Sequence, residues 1–345
     1  MSGVQGRVQR EIDALVEAGA ETGVQVAVYR DGGLIVDAVA GVGSGTPIFS
    51  FSTGKNVTAT LANLLVARGY LTYDSPVVDV WPEFGARGKA TATLRHVLTH
   101  TVGLPAMPRE ITPAELPDWS RVCAALAAAE PRWRPGTAMG YHSYTFGYLV
   151  GEVARRATGR SMSELLREWI TVPLGIEGQL YFAVPEAVLP VLARLDQLEQ
   201  PAAPGGILAP WESGPSAELG NDPELLKADV PSVCVATAHG LATMYSALLT
   251  GKLADSAQLA ELTAPAFEGV DQGFGNPARM ALGYPIGRIG APAEEKSAAI
   301  GWLGGGGSYA YADPDRGIAF ALTKTHLAPN FETALSVAGI VADSH

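Results

Sequence analysis

Strand patterns at both ends of the chain, with helix patterns between them, limit its fold more than any other feature. Gly23-Val24-Gln25-Val26-Ala27-Val28-Tyr29-Arg30 and Leu34-Ile35-Val36-Asp37-Ala38-Val39-Ala40 flank the turn sequence Asp31-Gly32-Gly33, the signature of a β-hairpin. A helix pattern from about Gln5 to Ala18 precedes them. The last part of the chain returns to short apolar runs over 280–287, 298–302, 308–311 and 318–322, with the turn Asp313-Pro314-Asp315-Arg316-Gly317 and a closing helix at about Phe331 to Asp343. The middle, from about Tyr73 to Val270, reads as helices over 94–99, 120–130, 143–157, 161–170 and 236–250. A loop rich in Pro, Gly and Ser lies between Pro201 and Pro231, long enough to be functional or mobile. Strands from both termini must share one sheet, with the helices as an insertion, and a site is expected where the two layers meet.

At 345 residues, 47% hydrophobic and 17% charged, the chain can bury a large core as one domain or two intermingled ones. Its net charge of −11 argues against nucleic acid and anionic membrane as partners. The N-terminus, Met1-Ser2-Gly3-Val4-Gln5-Gly6-Arg7, leads into a polar helix rather than an apolar signal core, and no apolar run is long enough to span a membrane. A soluble protein, cytoplasmic or already processed, is the expectation. The two cysteines, Cys123 and Cys234, sit in apolar sequence and read as buried free thiols. The six histidines (His96, His100, His142, His239, His326, His345) show no metal-ligand spacing, so neither a metal nor another cofactor is expected.

Chemistry enters at Ser52-Thr53-Gly54-Lys55. Val57, Leu61, Leu64 and Leu65 predict an amphipathic helix from about Ser52 to Arg68 that stops at Gly69, which puts Ser52 and Lys55 on one face of its first turn. The positive end of a helix dipole disfavours a lysine charge there and makes the neutral amine easier to reach. A neutral amine beside a hydroxyl can take its proton. The plainer alternative is Ser52 as an N-cap and Lys55 as a surface residue. Two further segments fit the catalytic reading. Tyr141-His142-Ser143 precedes a helix pattern, where dipole and ammonium would both favour a phenolate; ordinary packing by Tyr141 and an N-cap at Ser143 is the alternative. In Trp302-Leu303-Gly304-Gly305-Gly306-Gly307-Ser308, glycines bare the backbone at a strand edge, so an exposed N–H can meet an oxyanion; a structural glycine-rich turn is the alternative. This run lacks the Gly-Lys-Ser/Thr ending of a phosphate loop.

In order, Ser52-x-x-Lys55, Tyr141-x-Ser143 and Trp302-x-Gly304 resemble the three motifs of the serine β-lactamase and penicillin-binding-protein superfamily. Spacing is most similar to the class C branch, and the Trp-x-Gly form resembles family VIII carboxylesterases and related acyltransferases. Flanking segments agree: 71–77, Leu98-Thr99-His100-Thr101-Val102-Gly103-Leu104-Pro105 and Ala312-Asp313-Pro314-Asp315. The resemblance implies an α+β fold, an antiparallel sheet flanked by terminal helices with an inserted all-helical domain. Residues 1–72 and 271–345 would form the sheet domain, 73–270 the helical one, and the active site would lie at their interface.

It also implies roles. Ser52 would attack an acyl carbonyl, Lys55 and Tyr141 would share the proton transfers without the sequence deciding which is the base, and the N–H groups of Ser52 and Gly305 would hold the oxyanion. Ser143, Trp302 and Gly304 would complete the substrate-binding wall. Two departures from the pattern matter: Trp302 stands where β-lactamases and peptidases carry Lys or His, and Ser143 where Asn is frequent. Without that cation the expected substrate is a small neutral ester, thioester or amide, although Arg279 or Arg288 could restore a charge from elsewhere in the fold. A carboxylesterase is the leading reading. An acyltransferase or cyclase differs from it only in the acceptor admitted, a β-lactamase or D-Ala-D-Ala peptidase is opposed by Trp302, and a catalytically silent binding protein is opposed by the joint presence of Ser52, Lys55 and Tyr141.

Overall fold

The computed structural model describes residues 3–197, 207–291 and 297–344. Residues 201–206 of the loop expected between Pro201 and Pro231, and His345, lie outside that description. Strands β1 (Val24–Arg30) and β2 (Gly33–Ala40) form the expected hairpin. Asp31 and Gly32 both have positive φ, 49° and 80°, as a two-residue turn matched to strand twist requires. Next come β3 (Ile48–Phe49), β4 (Leu180–Tyr181) and β5 (Val235–Ala236), a small sheet ordered β3-β5-β4. β6 (Phe267–Val270) and β7 (Pro277–Met280) make a separate hairpin. Finally β8 (Ile300–Leu303), β9 (Tyr309–Asp313) and β10 (Ile318–Lys324) join the first hairpin in a five-stranded antiparallel sheet, β2-β1-β10-β9-β8.

Alternation along the strands gives the sheet two different faces. Val24, Val26, Val28, Phe320 and Leu322 pack against Val8 and Ile12 of the first helix, Val4–Glu17, and Val337 and Val341 of the last, Glu332–Ala342. The opposite face is lined by Ala27, Ala310, Ala312, Ala319 and Ala321. Those short side chains let the helix Ala238–Leu249 lie close against the strands. This helix falls within 73–270, the stretch expected to be wholly in the helical layer, yet it packs on the sheet.

The helix behind Ser52, Gly54–Ala67, is buried on all sides from Gly54 to Leu65 rather than amphipathic, because it is sandwiched between the sheet and the helical layer. Its polar residues are largely absorbed by long-range bonds: Thr58 donates to the carbonyl of Pro231, Thr60 pairs with the Tyr284 hydroxyl at 2.8 Å, and Asn63 donates to Leu282 at 3.1 Å. The strand expected over 280–287 is broken. β7 ends at Met280, and Gly283 (φ 94°) passes so near the helix that a Cβ there would lie 2.5 Å from that of Ala59. The loop expected between Pro201 and Pro231 contains, where described, the 3₁₀ turn Pro210–Glu212 and the short helices Ala217–Gly220 and Pro223–Lys227. Cys123 and Cys234 are free and buried. Among the described residues, no helix is long and apolar enough to cross a membrane.

Candidate active site

Ser52 occupies a single 3₁₀ turn, Phe51–Thr53, wedged between β3 and the central helix Gly54–Ala67. Phe51 has φ 49°, a left-handed conformation that costs about 1–2 kcal/mol for a residue with a Cβ. Neighbouring contacts hold it there: Phe49 and Phe51 meet edge to face at 4.7 Å, and the Ser50 N–H donates to the Cys234 carbonyl at 2.8 Å. Gly54 has no alternative at its position, since a Cβ would lie 2.2 Å from the Val233 carbonyl carbon. The sharp turn aims the Ser52 hydroxyl into a cleft of about 790 Å³ between the layers.

Two groups converge on that hydroxyl. Lys55 Nζ donates to Ser52 Oγ at 3.0 Å and to the Ser232 carbonyl at 3.2 Å, and the Tyr141 hydroxyl lies 2.7 Å from the same Oγ. Lys55 is almost completely buried, and desolvation lowers its pKa to about 7 despite the opposing field of Glu212. Its neutral form is therefore present at ordinary pH. Burial acts on Tyr141 in the other direction and raises its pKa, outweighing the hydrogen bonds from Ser52 and Trp302. The helix that follows begins at Thr145, and burial favours the neutral phenol where dipole and ammonium were expected to favour the phenolate.

The aromatic floor comes from residues distant in sequence. Tyr141 is stacked on Trp302 (centroids 5.3 Å) and on His100 (5.7 Å), and His100 stacks in turn on Phe146 at 4.7 Å. His100 Nδ1 accepts the His142 backbone N–H at 2.9 Å, while His142 Nε2 accepts the Leu104 N–H at 2.9 Å. Burial holds both imidazoles neutral, with His142 lowered to about 3.

Ser143 and Gly305 also line the cleft with Trp302, but Gly304 does not. Gly304 serves the turn behind the serine: a Cβ there would lie 2.3 Å from the Ser50 carbonyl oxygen. Arg279 and Arg288 reach the cleft, and both are engaged by acids, Arg279 with Glu268 at 2.8 Å and Arg288 with Asp313 at 3.5 Å.

Glu212, Asp271 and Phe274 are cleft residues that the motifs did not reveal. Glu212 accepts N–H groups of Met107 (3.1 Å), Ala209 (3.1 Å) and Tyr144 (3.4 Å), and burial lifts its pKa to about 7. Nothing in the spacing of Pro210-Trp211-Glu212 marks it. Asp271-Gln272-Gly273 carries a turn signature, but only the fold shows what the turn faces.

Sequence and structure comparisons define the class of protein to which this site belongs. The Beta-lactamase family model matches residues 8–339, and the chain belongs to that family. It is 33% identical over 337 residues to the esterase/beta-lactamase LipL of Mycobacterium tuberculosis, with 88% of this chain and 77% of LipL covered. A family VIII carboxylesterase superposes with a TM-score of 0.89 at 26% identity, covering 98% of this chain and 97% of the other. A penicillin-binding protein homolog from Caulobacter crescentus gives 0.87 at 31% identity, covering 99% and 98%.

Proposed function

We propose that the protein is a serine hydrolase that cleaves uncharged esters through an acyl-enzyme on Ser52. The observation that carries this reading is the convergence of Lys55 Nζ and Tyr141 Oη on one serine oxygen, at 3.0 and 2.7 Å, in an open cleft. Neutral Lys55 takes the hydroxyl proton as Ser52 Oγ bonds to the acyl carbon. The N–H groups of Ser52 and Gly305 receive the oxyanion. Collapse breaks the bond to the alcohol oxygen, which leaves with a proton from Tyr141, and Tyr141 regains one from the neighbouring Lys55 ammonium, whose Nζ lies 5.0 Å from the ring centroid. Water then enters where the alcohol left and bonds to the acyl carbon, giving a proton to neutral Lys55; the bond from that carbon to Ser52 Oγ breaks, the carboxylic acid leaves, and Oγ takes the proton back from Lys55. Trp302 in place of a cation, and two cleft arginines already paired with acids, favour neutral substrates. Turnover of a β-lactam is a second reading, favoured by the name of the 33% identical relative.

Intact-mass measurement after fluorophosphonate treatment, together with kcat/KM for p-nitrophenyl butyrate and a penicillin, tests both. A single adduct on Ser52 is expected, with ester turnover lost by about a thousandfold or more in Ser52→Ala. Label on another residue, or an alanine variant with wild-type turnover, would overturn the mechanism. A higher kcat/KM for the penicillin would replace the ester reading with the second one.

A further inference from the structure

The β6–β7 hairpin is tied to the segment that carries Tyr141 more tightly than an edge hairpin needs to be. Asp271, 7% exposed at the start of its turn, accepts the Tyr141 backbone N–H on Oδ2 at 3.2 Å. Its Oδ1 accepts the N–H groups of Gly273 at 2.6 Å and Phe274 at 3.2 Å. The next residue, Gln272, donates its N–H to the Met139 carbonyl at 2.9 Å. One carboxylate thus fixes both the backbone of the tyrosine and the turn of the hairpin. What the turn presents is Phe274, 51% exposed, its ring 5.9 Å from that of Tyr141 at the mouth of the cleft. An aromatic ring left half in water costs free energy that a bound apolar group would recover. Met139, Leu208, Ile289, Leu303 and Phe331 continue an apolar lining across the cleft.

We propose that this hairpin is the specificity element of the site, with Asp271 as a positioning residue and Phe274 as the contact that selects substrates bearing an extended apolar chain. The proposal rests on the ester reading above for the identity of the reaction, but its binding arm does not require turnover. Calorimetric titration of the Ser52→Ala protein with p-nitrophenyl octanoate and with octyl acetate separates a chain on the acyl side from one on the alcohol side. Adding Phe274→Ala should weaken binding of at least one of them about tenfold. Equal affinity for both compounds with and without the phenyl ring overturns the proposal, whatever the fluorophosphonate experiment shows. In the active protein, Asp271→Ala should lower the octanoate-to-acetate ratio of kcat/KM for p-nitrophenyl esters about tenfold and also lower kcat, because Tyr141 and Phe274 are released together. Asp271→Asn keeps one acceptor oxygen and should restore part of both effects. An Asp271→Ala variant that keeps the wild-type ratio and kcat rejects the positioning role.

Discussion

Lys55 and Glu212 share a buried wall of the cleft, and each alters the protonation of the other. Burial lowers the lysine to about 7 and raises the carboxyl to about 7, while their mutual attraction pulls each back towards its charged form. If neutral Lys55 is the base, kcat/KM is low when the amine is protonated and rises as pH passes upward through about 7. Replacing Glu212 with Gln removes the negative charge that favours the ammonium. The folded-state pKa of Lys55 then falls, and the rise in kcat/KM moves to lower pH. Glutamine keeps a carbonyl for the Met107 and Ala209 N–H groups, so the wall itself is largely retained. The pH dependence of kcat/KM for a neutral ester in both proteins checks this. An unmoved or upward-shifted profile in Glu212→Gln would separate Lys55 from the rate-controlling proton transfer.

At the scale of elements, the turn holding Ser52 depends on glycines that allow backbones to touch. Gly54 meets Val233, and Gly304 meets the Ser50 carbonyl from the end of β8. Alanine at either position must push the turn away from β5 or from the sheet edge, at a cost of about 1–3 kcal/mol for overpacking. Gly54→Ala and Gly304→Ala should therefore lower both Tm and kcat. Gly339→Ala is the control, since a Cβ there meets nothing within 4 Å on the last helix, and it should stabilise by about 0.5–1 kcal/mol. Thermal melts of the three variants decide the point; a Gly304→Ala protein as stable and active as wild type would contradict the close approach.

Only part of this arrangement was legible in the sequence. Ser52, Lys55 and the β1–β2 hairpin were, because helix spacing and turn chemistry are local. The two-residue strands β3, β4 and β5 were not, because such short pairs carry no period. Gly304 was placed in the substrate-binding wall, since its close approach to Ser50 depends on the partner backbone. For Tyr141 the sequence suggested only that dipole and ammonium favour the phenolate, since burial, which pushes the other way, is a property of the folded chain.

Across the whole molecule, the two layers are joined by the helix Gly54–Ala67, which gives Ala62 to the core of the helical layer and Val57, Leu61 and Leu65 to the core against the sheet. The central strand β10 comes from the far end of the chain and pairs with β1, so neither terminus can leave without opening the sheet. A chain built this way should lose both cores in one transition. The two thiols report on it separately. Cys123 lies in the core of the helical layer, while Cys234 lies in the core against the sheet, 3.4 Å from Thr53 Oγ1 beside the serine. Burial raises both thiol pKa values, that of Cys234 to about 12, so neither is reactive in the folded state. Alkylation at each cysteine, followed by mass spectrometry during a temperature ramp, should show both becoming reactive together, at the temperature where fluorophosphonate labelling of Ser52 disappears. Reaction at Cys123 while Cys234 stays protected and Ser52 remains labelled would mean that the helical layer melts by itself and that the central helix does not couple the two cores.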